Sequence, residues 1–96
     1  MKRNDVLKLL RTHKATLAQR FGVTGLALFG SFARDQAADD SDVDILVRFD
    51  PPPNWQRYFG AREYLEDLLG KSVDMATNQD LRVEIRPYVE REALDV

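Results

Sequence analysis

GSFARDQAADDSDVDILVRFD, residues 30–50, joins a Gly-Ser pair to an Asp-x-Asp pair across ten intervening residues. From Asp42 onward apolar and polar positions alternate: Val43, Ile45, Val47 and Phe49 fall on one face, and Asp42, Asp44, Leu46 and Arg48 on the other. That period of two predicts a strand over 42–49 whose acids point away from the apolar side. Just upstream, the short apolar run 24–29 predicts another strand that feeds straight into Gly30-Ser31. Ser31 is a residue type that caps a following turn of helix through Phe32, Ala33 and Arg34.

Each part of this stretch has a separate physical task. Gly30 permits a tight turn or close approach, and backbone N–H groups at a helix start suit an anion such as phosphate. Asp42 and Asp44, two apart on a strand, project side by side and form a platform for hard divalent ions such as magnesium. Asp74, thirty positions after Asp44, lies in another alternating run, 71–76, with Val73 and Met75 inward. If the two strands pair, a third carboxylate joins the same face. Three acids beside a phosphate-binding turn point to two-metal phosphoryl-type transfer. Arg34, three residues after Ser31, is placed to reach either the phosphates or the acids.

Two other ion- or phosphate-binding patterns fail. Asp40, Asp42 and Asp44 alternate like a calcium loop, but Ile45 stands where that loop needs Gly and Pro51 where it needs a closing Glu. No Gly-Lys-Ser/Thr follows Gly30, so a P-loop is excluded.

Farther out, Val6, Leu7, Leu10, Leu17 and Phe21 follow helical spacing over 5–20, with Asn4 as cap and Gly22 as stop. His13 falls on its polar-to-boundary side and reads as a surface residue. Pro51-Pro52-Pro53 ends the acidic strand, and Asn54 caps a second long helix that stops at Gly70. Its expected apolar side comprises Trp55, Tyr58, Phe59, Tyr64, Leu65, Leu68 and Leu69, the four aromatics reading as core or as a partner surface. Asn78 is placed to cap a short helix that breaks before Pro87, followed by a last turn over 88–92 and an edge strand over 93–96.

Composition bounds the function. Ninety-six residues, 44% of them hydrophobic, suffice for one core and not two, so residues 1–96 are expected to form a single domain. With no Cys, disulfides and thiolate zinc sites are excluded, and a single His speaks against a His-based metal site or a catalytic triad. No signal-peptide or membrane-spanning run occurs, which points to the cytoplasm. Net charge is −2, so the chain lacks the basic field of a general nucleic-acid binder. The charge is uneven, however: residues 1–20 carry a net +5, and residues 35–50 carry −5 from Asp35, Asp39, Asp40, Asp42, Asp44 and Asp50 against Arg48. A folded domain tolerates that acidic density best with cations bound.

The same residues, with the helix around YLEDLLG and the strand KSVDMAT, resemble the minimal nucleotidyltransferases of the DNA polymerase beta superfamily, the antitoxin partners of HEPN-domain toxins. The resemblance runs from about Leu26 to the C-terminus. It implies an α/β fold with a short mixed sheet flanked by helices, ATP with two magnesium ions, and transfer of AMP to a hydroxyl. Carried over by motif, Gly30 and Ser31 hold the triphosphate, Asp42 and Asp44 bind both metals, and Asp74 binds the catalytic metal. Asp35 departs from the family, which often has Gly there, and its charge is expected to weaken nucleotide binding. The resemblance further implies a HEPN toxin as hetero-oligomeric partner, modified on a tyrosine that it supplies itself, since the chain has no room for an acceptor domain. Two other readings fit less of the sequence: an antitoxin that masks its toxin without catalysis, and a transferase acting on a small hydroxylated molecule.

Overall fold

The computed structural model describes residues 1–38, 40–77, 83–84 and 86–96. The first helix, α1 (Arg3–Phe21), places Val6, Leu7, Leu10 and Leu17 in the core. It starts earlier than its sequence suggests. Lys2, not Asn4, is the cap residue, and the Lys2 backbone N–H donates to Asp5 Oδ2 at 2.9 Å. An acid in the first turn thereby satisfies an orphan donor and complements the helix dipole.

Strand β1 (Val23–Phe29) runs into the single turn α2 (Gly30–Ala33), and β2 (Val43–Phe49) returns antiparallel to β1. Helix α3 (Trp55–Leu69) crosses over to β3 (Val73–Thr77), which lies parallel to β2. Short α4 (Arg86–Glu92) leads to β4 (Leu94–Asp95), antiparallel to β1. The sheet is mixed, in the order β3-β2-β1-β4. The helix cap expected at Asn78 lies outside the described residues. Pro87 sits in the first turn of α4, where its missing N–H costs nothing.

The main core lies between one sheet face and helices α1 and α3, where Leu10, Leu17, Leu28, Ile45, Val47 and Leu65 are fully buried. The opposite face was expected to be polar, and part of it is not. Leu46 and Ala27 are buried there under Phe29, Ala76, Val89 and Ala93. Alternation along β2 assigned Leu46 to its face correctly, but a single strand's pattern cannot show that a later segment covers that face.

Two further expectations change. His13 is half-buried, and its Nδ1 shares a 2.6 Å hydrogen bond with the Tyr64 hydroxyl, tying α1 to α3. Trp55 and Phe59, assigned to the apolar side of the second long helix, are instead 70% and 51% exposed. Ala61, Leu65 and Leu69 form the buried stripe, and the first turn of α3 projects past the edge of the core.

Candidate active site

The acids are assembled by strand register. Phe29 at the end of β1 pairs with Asp44, and Asp44 pairs in turn with Asp74 on β3. Successive side chains alternate between the faces of a strand, so paired residues in register share a face. Asp42 immediately precedes β2, where Val43 N–H donates to Ser72 O at 2.9 Å and aligns the starts of β2 and β3. Asp42 and Asp74 are exposed, Asp44 is half-buried, and all three stand at one end of the sheet.

Gly30 is held against these acids. Its φ of 73° is left-handed, and a Cβ there would collide with the Asp44 carboxylate. Only glycine satisfies both the backbone conformation and the close approach. The turn it starts differs from expectation in one respect. Phe29, in extended conformation, is the cap residue, and Ser31 lies inside the turn, half-buried, with its carbonyl accepting from Gln36 N–H at 2.9 Å. Asp35, in the position where the resemblance favours glycine, has a φ of 59°. The backbone itself therefore explains why glycine suits that site, and aspartate is among the few other residues that tolerate it.

Electrostatics mark Asp44. Its carboxyl is pushed up to about 6 from the ordinary 3.8, first by burial, then by the charge of Asp74 and a side-chain hydrogen bond to it, and then by Asp42. The Arg34 guanidinium works in the opposite direction. Carboxylates crowded in this way call for a proton or a cation between them, and hard oxygens shared by neighbouring carboxylates suit magnesium. Among the described residues no three potential ligands close around a single point, so the acids present an open platform rather than a finished cage. An open platform leaves coordination positions for substrate oxygens. Arg34 pairs with Glu92 of α4 at 3.1 Å, both side chains about half exposed.

Sequence reasoning missed the α3 side of the site. A depression of about 240 Å³ is lined by Asp42, Asp74, Ser72, Met75, Tyr58 and Arg62. Tyr58, Arg62 and Glu66 are spaced four apart and form one stripe along α3. The spacing is visible in the sequence, but only the packing of α3 shows that this stripe faces β3. Tyr58 OH donates to Met75 O at 2.7 Å, and Glu66 Oε2 accepts from Val73 N–H at 3.0 Å.

Comparison with known proteins identifies the family. Residues 10–96 fit the family model described as the nucleotidyltransferase domain. The chain is 41% identical over 92 residues to the protein adenylyltransferase MntA of Thermococcus cleftensis, covering 96% of this chain and 93% of that protein. A solved structure assigned as a minimal nucleotidyltransferase superposes with a TM-score of 0.84 at 33% identity, covering 100% of this chain and 97% of the other. The fold is also that of one chain in the solved complex of the tri-AMPylated Shewanella oneidensis HEPN toxin with MNT antitoxin, with a TM-score of 0.60 at 19% identity over 97% of this chain and 66% of that one. The chain therefore belongs to the nucleotidyltransferase domain family.

Proposed function

We propose that the chain is a magnesium-dependent protein adenylyltransferase that moves AMP from ATP to a tyrosine hydroxyl of a HEPN toxin and acts as its antitoxin. The observation that carries this reading is the pairing of Asp44 with Asp74 directly beside Gly30. Metal-binding acids and a close-approach glycine meet at one point, where metal-bound phosphates have access. The adenylyltransferase relative supports the reaction, and the AMPylated HEPN complex supports the acceptor.

In this scheme Asp42 and Asp44 would hold two magnesium ions, and Asp74 would hold the catalytic one with them. Gly30 and Ser31 hold the β- and γ-phosphates, and Arg34 exchanges Glu92 for a phosphate oxygen. The tyrosine oxygen bonds to the α-phosphorus while the bond from that phosphorus to the bridging oxygen of the β-phosphate breaks. Pyrophosphate leaves, and the tyrosine proton passes to solvent. Magnesium held by these acids would supply neutralisation of the charge that develops on the phosphates, and in-line positioning supplies much of the rate.

The test is incubation of the purified chain with its HEPN partner, magnesium and α-labelled ATP. Label and one or more added AMP masses are expected on the partner, and both are expected to disappear when its acceptor tyrosine is replaced by phenylalanine. A tight complex that never acquires label would leave a masking antitoxin. Label on a small molecule or on RNA would overturn the assignment of the acceptor.

A further inference from the structure

The outer edge of β3 carries an exposed aromatic patch that no part of the catalytic scheme uses. Trp55 and Phe59 project from the first turns of α3, 70% and 51% exposed. With Pro52, Pro53, Tyr58 and Thr77 they line a depression of about 300 Å³ whose walls bear no charged side chain. Two large, neighbouring, solvent-facing aromatics are uncommon on a surface that meets only water.

This depression adjoins the site. Tyr58 lines both it and the acid-lined depression, and Thr77 and Asp74 mark the two along β3. They are three positions apart, about 10 Å, on opposite faces of the strand whose outer edge Tyr58 covers. A side chain presented from a segment seated on the aromatics can therefore reach the acids. At the acid end Arg62 lines the same trough, 3.9 Å from Glu66.

The direction of the chemistry selects the occupant. Resting on the function proposed above, the triphosphate lies on the Gly30 side, at the β1 flank of Asp44, and the leaving pyrophosphate departs there. In an in-line displacement the attacking oxygen enters opposite the leaving group. The entry side is therefore the β3 flank, where the trough lies. We infer that the Trp55–Phe59 patch and the trough beside it form the docking surface for the acceptor protein, seating apolar side chains next to the segment that delivers the tyrosine.

Two features fit this role. The patch is held ready: Arg57 donates to Phe21 O at 2.9 Å, to Pro51 O at 3.1 Å and to Pro52 O at 3.4 Å, and Asn54 Oδ1 accepts from Arg57 N–H at 2.9 Å. A preorganised surface spends little entropy on binding. The edge of β3 is also occupied in part by α3, since Tyr58 covers Met75 O and Glu66 covers Val73 N–H. Strand addition is thereby disfavoured, and recognition falls to the side chains. Exposed tryptophan and its aromatic neighbours are the residue types that concentrate binding energy at protein interfaces.

The test compares the intact chain with Trp55→Ala, Phe59→Ala and the double variant. Because both side chains are exposed, circular dichroism and melting temperature should stay unchanged. Calorimetry against the HEPN partner should show affinity falling about tenfold for each variant and about a hundredfold for the pair. The acceptor KM should rise in parallel, while the rise in melting temperature on adding magnesium-ATP is retained. Unchanged affinity and KM in a folded double variant would defeat the docking surface. Loss of the magnesium-ATP response would reassign the aromatics to the nucleotide, and dissociation of a wild-type dimer by either variant would reassign them to a second copy of the chain. Failure of the intact chain to bind or modify any HEPN partner would instead defeat the proposed function itself.

Discussion

Asp44 combines three conditions that pull against one another: it is half-buried, it faces Asp74 in register, and it lies against Gly30. Its carboxyl is raised to about 6, so replacing it should separate stability from activity. At pH 7.5 without metal, Asp44→Asn should raise the melting temperature. The full shift corresponds to about 3 kcal/mol. Solvent screening of a half-exposed group leaves about 1 kcal/mol, or several degrees for a domain of this size. The same variant should lose label transfer by about a hundredfold or more, because a metal site loses its charge. Asp42→Asn and Asp74→Asn, at exposed positions, should lose transfer with an unchanged circular dichroism spectrum. Unfolding of Asp74→Asn would give that residue a structural role instead.

Asp35 poses a different question, since its φ of 59° is backbone strain that aspartate carries and glycine would not. Asp35→Gly should raise stability in thermal melts by up to about 1 kcal/mol. Asp35→Asn keeps a residue that tolerates the left-handed region while removing the charge. If that charge weakens nucleotide binding, both variants should bind magnesium-ATP more tightly by calorimetry, by about twofold at this exposed position. A gain confined to Asp35→Gly would trace the effect to the backbone alone.

At the scale of elements, β3 depends on α3 for more than a packing surface. A strand at a sheet edge presents unpaired backbone groups, and the Tyr58 and Glu66 side chains occupy two of them on β3. Removing the Glu66 carboxylate leaves Val73 N–H without its acceptor. Glu66→Ala should therefore cost about 1 kcal/mol in denaturant titration and promote concentration-dependent association by light scattering. Glu66→Gln retains an acceptor oxygen and should behave close to wild type. Equal behaviour of the alanine variant would show that water replaces the carboxylate.

For the whole molecule, proton and metal compete for one group of acids. The folded chain holds a proton on Asp44 up to about pH 6, whereas the unfolded chain releases it near 3.8. Between these values the folded state binds more protons, so its stability falls as pH rises through the window. Magnesium-ATP should reverse this loss above pH 6 by binding only the folded chain, raising the melting temperature. The rise should shrink below pH 6 and vanish with EDTA. A melting temperature indifferent to magnesium and ATP across pH 5 to 8 would exclude the metal platform. Among the described residues no helix is long and apolar enough to cross a membrane.

Much of this was legible in the chain itself. The alternation in 42–49, the Gly-Ser turn and the helix stops at Gly22 and Gly70 are local, because the spacing of apolar residues and the conformational freedom of glycine act over a few residues. The strand order, the parallel register that sets Asp44 beside Asp74, and the cover over Leu46 depend on contacts between distant segments, and only the tertiary structure decided them. The same holds for Trp55 and Phe59. Helical spacing placed them with Leu65 and Leu69, yet α3 extends past the core at its first turn, and no periodicity records where a helix runs out of partners. The sequence determined which groups could do the chemistry; packing determined which of them meet, and which face remains for a partner.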